Sequence, residues 1–382
     1  IEPVWLFLFM TPFMLGLLWW SSRPTKGSVG RSRFATPKEI RASRNAAIKA
    51  INNPREFSLW IGRPDKVFRG QNGDLKITPN RHTVMVRNAN QHILVGGGTG
   101  EGKSRFAIDR MAEAAFIQEI PVIGIDLKGE EEFDGTDKKG KRYPRCAPSS
   151  KLAAIAMQHG YQVFIVAPGF VDSYCLNPLD LIRDSDDIAD CEQLSNTHVA
   201  NYMPPGHHLN EWDKAGSNVL TAAIAYVKSL EKGCDMVMVQ AVIERLSMDP
   251  ESIMSANLSP YVRKAFAQYI ASIKSEKTAA SIMFAAQGPA SSFIRPEVTA
   301  TYCRPTNIPI ILGRKQMVIF RVDSNTKKTV LPITVACFEM MVNKNIKAGK
   351  VSNGLVLSDE MPQYKVITLS DILATGRSQG WS

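Results

Sequence analysis

One segment restricts the possible folds of this chain more than any other: residues 97–104 read Gly-Gly-Thr-Gly-Glu-Gly-Lys-Ser. The segment fits the pattern G-x-x-x-x-G-K-[ST], follows an apolar run at residues 93–95 that is typical of a buried strand, and precedes a helical pattern. In that context the glycines let backbone N–H groups curl around phosphate oxygens, and the amino terminus of the helix adds its dipole. The segment therefore predicts a phosphate-binding loop in an α/β fold.

The side chains of this loop predict a nucleotide triphosphate and a divalent cation as its ligands. Lys103 is expected to reach the β and γ phosphates, and Ser104 is expected to ligate Mg²⁺, which makes ATP and Mg²⁺ the expected cofactors. A purely structural glycine-rich turn is the alternative, and the strand–loop–helix context disfavours it. The residues predicted to bind the nucleotide here are Gly97, Gly98, Thr99, Gly100, Glu101, Gly102, Lys103 and Ser104.

An acidic pair ends a second strand-like run far along the chain. The apolar residues 355–357 and Ser358 lead directly into Asp359 and Glu360. A phosphate-binding loop needs a carboxylate at the end of a neighbouring strand to hold the metal's coordination shell, so we expect Asp359 to act on Mg²⁺, mainly through water. Glu360 is then expected to orient and polarise the attacking water. Asp359 joins Ser104 as a predicted metal residue, and Glu360 is predicted to be catalytic.

A third charged segment, Asp126-Leu127-Lys128-Gly129-Glu130, ends the strand that follows the loop and its helix. The carboxyl ends of parallel strands form the ligand-binding edge of such sheets. Asp126 and Lys128 are therefore predicted to contribute to nucleotide binding. Ordinary solvated charges at a strand end are the alternative interpretation.

From residue 92 onward, short apolar runs alternate with amphipathic helical segments, a pattern typical of an α/β fold with a parallel sheet. Strand signals largely vanish between residues 183 and 295, and the charged residues 130–142 read as a solvated loop. The simplest interpretation is an α/β nucleotide-type core interrupted by an all-α insertion. The predicted strands are 93–95, 121–125, 163–166, 317–322 and 355–357. Helical patterns follow Lys103, precede Gly160 and cover residues 212–230, 236–246, 261–273 and 332–346.

The amino-terminal end carries an uncharged, strongly apolar run over residues 4–20. A helix of that length lies at the short edge of what spans a bilayer, and tryptophans occur near both of its ends, as in an interfacial aromatic belt. A buried core helix or a signal peptide is the alternative, but a signal peptide would have a basic segment before the run and a small-residue cleavage site after it. We predict a transmembrane helix, most simply the second arm of a membrane hairpin.

The positive charge of the chain is concentrated directly after this run. The 382 residues include 46 Lys and Arg against 36 Asp and Glu, and a formal net charge of +10 suggests a polyanionic partner. Residues 21–60, however, hold nine basic and two acidic residues, so seven of those charges belong to them. The positive-inside rule then places the carboxyl side of the helix in the cytoplasm. Net charge is therefore a poor basis for inferring DNA binding.

One family pattern is matched in order by six stretches of the chain: residues 30–40, 97–104, 125–130, 177–180, 212–227 and 359–360. In this combination, which is far more specific than the phosphate-binding loop alone, the chain resembles the type IV coupling proteins, the membrane-anchored hexameric ATPases of bacterial conjugation and type IV secretion. The similarity spans about residues 20–380.

The resemblance implies a RecA-like motor core with an all-α domain at its cytoplasmic pole, assembled as a homohexameric ring around a DNA channel. It implies the bacterial inner membrane as location, with the ATPase domain on the cytoplasmic side. The implied partners are a relaxase–DNA complex or protein effectors, together with inner-membrane channel components. Arg377 matches an arginine that reaches a neighbouring subunit's nucleotide in the family. The implied domains are a transmembrane helix (1–20), a basic juxtamembrane and linker region (21–80), the first part of the core (81–182), the all-α domain (183–295) and the second part of the core (296–382).

The chain also departs from the family pattern. A small residue is usual where Glu101 lies, Thr is frequent at position 104, and the family core continues past Ser382 into a further strand, so we expect the sequence to be trimmed at both ends. Two functions remain open at this stage: an ATPase that drives DNA transfer, and a recruitment platform for effectors in which nucleotide mainly assembles the ring. A septal chromosome translocase would share the motor fold, but the segments at 126–130 and 177–180 disfavour it.

Overall fold

A four-stranded parallel β-sheet organises the larger part of the chain. The computed structural model describes residues 35–53, 56–97, 103–129, 133–136, 142–145, 148–230, 232–349 and 353–382. The strands are β1 (Ser58–Ile61), β2 (Lys66–Arg69), β3 (Leu75–Thr78), β4 (Val84–Arg87), β5 (Val122–Asp126), β6 (Phe133–Thr136), β7 (Arg142–Arg145), β8 (Gln162–Val166), β9 (Gln316–Arg321) and β10 (Leu355–Ser358). The helices are α1 (Pro37–Ala50), α2 (Asp109–Ile117), α3 (Pro148–Gln158), α4 (Ile188–Tyr202), α5 (Glu211–Lys228), α6 (Met236–Met248), α7 (Pro250–Met254), α8 (Pro260–Ala265), α9 (Ala267–Ser272), α10 (Glu276–Ala290), α11 (Pro296–Tyr302), α12 (Lys327–Lys347) and α13 (Leu369–Gln379).

Strands β10, β5, β9 and β8 lie side by side in that order, and all pairs are parallel. Every residue of β5 is buried, which agrees with its uninterrupted apolar sequence up to Asp126. Because the four strands run in one direction, the segments that follow Asp126, Val166, Arg321 and Ser358 all leave from the same edge of the sheet. An α/β fold with a parallel sheet is therefore confirmed, and this edge is where the chemistry-bearing residues collect.

Four of the five predicted strands form the sheet, but the prediction of a strand at residues 93–95 is wrong. Residues 92–97 have no regular secondary structure in the described chain. Ile93 and Val95 pack against the core while Leu94 is 96% exposed, so burial on one side produced the apolar pattern without a hydrogen-bonding partner strand. At the edge of β10, Trp381 instead forms a parallel bridge with Gly354.

Two further expectations about secondary structure need correction. The charged segment predicted as a loop contains part of a hairpin, because β6 pairs antiparallel with β7. The helix expected over residues 261–273 is divided at Phe266 into α8 and α9. The Phe266 side chain is fully buried at this junction between the two short helices.

Helices α4 to α11 fill most of the chain between β8 and β9. Asn210 begins α5 with a capping box, in which its side chain accepts hydrogen bonds from the backbone N–H groups of Trp212 and Asp213. Helix α5 then packs closely on α10, since a Cβ atom at Gly216 would lie only 2.7 Å from the carbonyl carbon of Ala285. The absence of a side chain at Gly216 is what allows this approach.

The chain divides into two units at residues 43 and 44, and the apolar run at 4–20 lies outside the described residues. Helix α1 begins after Thr36, whose backbone N–H donates to the Glu39 carboxylate at 2.7 Å while the Thr36 hydroxyl accepts from the Glu39 N–H at 3.4 Å. Among the helices that the structure describes, none combines the length and the apolar character needed to cross a bilayer.

Candidate functional site

The predicted metal residues meet across the fold. The hydroxyl of Ser104, at the start of the helical segment after the loop, donates a hydrogen bond of 2.9 Å to Oδ2 of Asp359 at the end of β10. Asp359 also accepts the backbone N–H of Glu360 through Oδ1 at 3.0 Å. The two residues are 255 positions apart in sequence, so their contact is a product of the fold rather than of local geometry.

The loop itself is described at its two ends. Gly98, Thr99, Gly100, Glu101 and Gly102 lie outside the described residues. At the ends, Nζ of Lys103 donates a hydrogen bond of 2.6 Å to the carbonyl oxygen of Gly97. Residues 104–108 form a π-helical turn that continues into α2. The lysine thus lies at the mouth of the loop, beside the Ser104–Asp359 contact.

Asp126 is placed at the predicted edge, but its carboxylate is used by the protein backbone. It is 8% exposed, and its oxygens accept the N–H groups of Lys128 at 2.9 Å and of Ser149 at 2.8 Å. These bonds fix the loop after β5 on the start of α3. Asp126 therefore shapes the edge of the site through its backbone contacts.

Lys128, predicted to bind nucleotide, forms an ion pair with Glu360, the predicted catalytic carboxylate. The pair is half-exposed, with 52% of the lysine side chain and 29% of the glutamate side chain accessible. Hydrogen bonds from Lys128 and then from Gln363 lower the pKa of Glu360, and the bond to Glu360 raises the pKa of Lys128. Glu360 is thus held as a carboxylate.

The environment of Glu360 contains two residues that the sequence did not single out. Gln363 donates from Nε2 to Oε2 of Glu360 at 2.8 Å, and Lys327, at the start of α12, donates to the side-chain amide oxygen Oε1 of Gln363. Glu360 itself has φ 56° and ψ 34°, a left-handed backbone that costs of the order of 1 kcal/mol for a residue with a side chain. Gln363 lies one short turn beyond the acidic pair, and this spacing is the signal that could have identified it.

Two buried contacts support the loop that carries Lys128. Arg321, 5% exposed at the end of β9, donates from Nε to the Gly129 carbonyl at 2.7 Å, and its guanidinium lies 4.1 Å from the ring centroid of Phe170. Gly129 in turn donates its N–H to the Val322 carbonyl at 3.0 Å. A charged residue that ends a buried strand was the available signal for Arg321.

Arg377 lies on α13 rather than in a loop, and it is exposed. Its carbonyl oxygen accepts a hydrogen bond of 3.0 Å from Nδ2 of Asn90. This contact connects α13 to the segment that precedes the phosphate-binding loop. The role of Arg377 toward a neighbouring subunit stays a prediction.

A cavity of about 740 Å³ opens at this edge of the sheet. Lys103, Asp359 and Glu360 line this cavity, while most of its other lining residues are apolar and come from the 93–97 segment, β10 and α12. One concave surface is therefore lined by the Lys103 cation and the carboxylates of Asp359 and Glu360, and Asp359 also binds the Ser104 hydroxyl.

This fold and site can be compared with known proteins. The plasmid coupling protein TrwB in complex with the ATP analogue ADPNP has a TM-score of 0.57 at 15% sequence identity, with 94% of this chain and 72% of TrwB covered. TrwB in complex with ADP and Mg²⁺ has a TM-score of 0.55 at 16% identity, with 77% and 62% covered. This chain has the fold of a conjugative coupling protein.

The resemblance inferred from the motifs is thus confirmed at the level of the fold. A sulphate complex of the bacterial conjugative coupling protein TrwBdeltaN70 gives a TM-score of 0.54 at 16% identity, covering 77% of this chain and 61% of that one. The chain accordingly spans about three fifths of the length of that structure. No protein-family model matches the sequence, and no curated protein matches it.

Proposed function

We propose that this chain is the motor part of a coupling protein, a P-loop ATPase that uses ATP hydrolysis to deliver relaxase-bound DNA into a type IV secretion channel. The observation that carries the proposal is the 2.9 Å hydrogen bond between Ser104 and Asp359, together with Lys103 and Glu360, which line the same cavity as Asp359. The TrwB complexes with ADP and Mg²⁺ and with ADPNP support nucleotide binding on this fold.

The residues present fit a nucleotide with its metal. Ser104 and Asp359 offer oxygen donors, the ligand type that Mg²⁺ prefers, and Lys103 offers a cation to the phosphates. When bound, Mg²⁺ would supply charge neutralisation on the phosphates. Glu360 accepts a hydrogen bond from the attacking water and orients it, which fits its role as a carboxylate at the end of the strand next to β5.

The proposal extends to the architecture of the whole protein. We place a RecA-like core at 81–182 and 296–382, an all-α domain at 183–295 and a basic linker at 21–80. The apolar run at 4–20 followed by that basic stretch supports an anchor in the bacterial inner membrane with the motor on the cytoplasmic side. A homohexameric ring, in which Arg377 reaches the neighbouring nucleotide, and contacts with channel components complete the proposal.

The test uses the assembled full-length protein. Lys103→Ala is expected to lose ATP binding and hydrolysis together, whereas Glu360→Gln is expected to abolish hydrolysis and keep binding, because only the water-orienting charge is removed. Glu211→Gln, on the exposed start of α5, is the matched control and should hydrolyse ATP like the wild type. Unchanged hydrolysis in Glu360→Gln would contradict the mechanism.

A recruitment platform remains the second candidate, and exposed apolar side chains on the helical part favour it. Trp212, Met248, Tyr261 and Phe284 are between 49% and 80% exposed. Filter binding of DNA across a salt series separates the two functions, because motor–DNA contacts predict an affinity that falls steeply with salt. Little DNA binding at any salt concentration, with retained binding of protein cargo, would favour the platform.

A further inference from the structure

The ion pair between Lys128 and Glu360 occupies the carboxylate that is proposed to orient the attacking water. Both oxygens of the Glu360 carboxylate have hydrogen-bond donors: Oε1 is paired with the Lys128 ammonium, and Oε2 accepts from Gln363 at 2.8 Å. A residue that orients water needs an accessible oxygen with its negative charge available. In this arrangement an ammonium neutralises that charge.

We propose that Lys128 is a latch on Glu360, a positioning residue that restrains the water-orienting carboxylate until the pair is broken. The proposal rests on the proposed function, since it concerns the same hydrolytic site. The occupied oxygens of Glu360 and its left-handed backbone describe a restrained state of this residue. Release of Lys128 makes Oε1 available to a water molecule.

The two parts of Lys128 have different environments, as a latch requires. Its backbone is fixed, because its N–H donates to buried Asp126 and the next residue, Gly129, is held by buried Arg321. Its side chain is 52% exposed, and a flexible four-carbon chain connects the ammonium group to the backbone. The ammonium can therefore leave Glu360 without any change in the backbone of the loop that carries it.

The charges that surround the pair come from several elements. Lys103 and Lys128 both act on Glu360 as nearby positive charges, and Asp126 and Asp359 act on Lys128 as nearby negative charges. Lys128 thus keeps carboxylate partners when it leaves Glu360. The latch needs no uncompensated charge in its open state.

The experiment measures ATP hydrolysis by the assembled full-length protein in the absence of DNA and protein partners. Lys128→Met is expected to raise kcat about two- to fivefold, the factor that corresponds to breaking a half-exposed ion pair, while KM for ATP stays unchanged. Lys128→Arg restores a cation and should bring kcat back toward the wild-type value. Lys214→Met, which breaks the exposed Lys214–Glu211 pair on α5, is the matched control.

Each other result overturns the latch. A fall in kcat in Lys128→Met means that Lys128 supports turnover, and a rise in KM alone means that it binds nucleotide. No change in either constant means that the pair does not restrain Glu360. Failure of the proposed function is distinguishable, since wild type, Lys103→Ala and Lys128→Met would then share one background rate, and the latch would fall with it.

Discussion

Glu339 provides a strong test of how the fold is held together, because a fully buried carboxylate there accepts four hydrogen bonds. Its Oε1 accepts from the N–H of Thr368 at 2.7 Å and from the hydroxyl of the same residue at 2.6 Å. Its Oε2 accepts from the Thr197 hydroxyl at 3.0 Å and from the Ile367 N–H at 3.2 Å. One side chain on α12 therefore joins α4 to the segment that precedes α13.

The perturbation is Glu339→Gln, which keeps the shape of the side chain and replaces one oxygen with an amide nitrogen. That nitrogen cannot accept a hydrogen bond, so the backbone N–H on its side loses its acceptor in a site without solvent, whereas the threonine hydroxyl there can rotate and accept from the amide. A buried donor without a partner costs about 1–3 kcal/mol. We therefore expect Glu339→Gln to lower the free energy of unfolding by about 1–3 kcal/mol, since one such donor is left.

The assay is urea denaturation followed by circular dichroism, in which the midpoint should fall while the slope stays constant. Glu211→Gln is the control, because the Glu211 side chain is 87% exposed and its loss should change the free energy of unfolding by less than about 0.5 kcal/mol. If Glu339→Gln falls within the range of this control, the four bonds do not hold the segment and the reasoning is refuted.

Two other sites give predictions of the same kind. Gly129→Ala should lower the free energy of unfolding by about 1–3 kcal/mol, because its Cβ atom would lie 2.4 Å from Cγ of Arg321 and 2.9 Å from the carbonyl of Val322. Thermal denaturation beside Gly96→Ala, where nothing lies within 4 Å, checks this, and equal stability of the two variants would contradict it. Burial lowers the pKa of His198 to about 4, so the unfolded chain takes up a proton at higher pH than the folded one, and stability that is complete above pH 6.5 is lost below it. Between pH 7 and 5 the wild type should lose about 2 kcal/mol more than His198→Gln, and parallel urea-derived stability profiles would contradict this.

The sheet was predictable because its strands have the short apolar runs that are typical of buried strands. Each residue of β5 is buried, so its apolar run carries its own signal, and the same holds for most of β9. The segment 93–95 has a similar pattern and forms no strand, because burial determines the pattern while strand formation also needs a hydrogen-bonding neighbour. The pattern of apolar residues indicates burial, but it does not indicate whether a neighbouring strand is present.

The contact between Ser104 and Asp359 was predictable for a different reason. A phosphate-binding motif needs a carboxylate at the end of a neighbouring strand, and the acidic pair Asp359-Glu360 supplies one, so the contact was expected without any knowledge of strand order. The pairing of Lys128 with Glu360 could not be predicted in this way. It depends on β10 lying directly beside β5, which is a property of the topology that no local pattern records.

In this fold, the residues that hold the backbone in place differ from the residues that carry the proposed chemistry. The groups that fix the backbone are buried, as Asp126, Arg321 and Glu339 are, whereas the pair formed by Lys128 and Glu360 is half-exposed. The loss of a buried hydrogen bond lowers the free energy of unfolding strongly, whereas the loss of an exposed ion pair changes it little. Substitution of the buried group should therefore change the free energy of unfolding first, while substitution of the exposed pair should change the rate of hydrolysis at constant stability. Measuring both quantities on Glu339→Gln and Lys128→Met separates the two roles, and identical profiles for the two variants would show that the division does not hold.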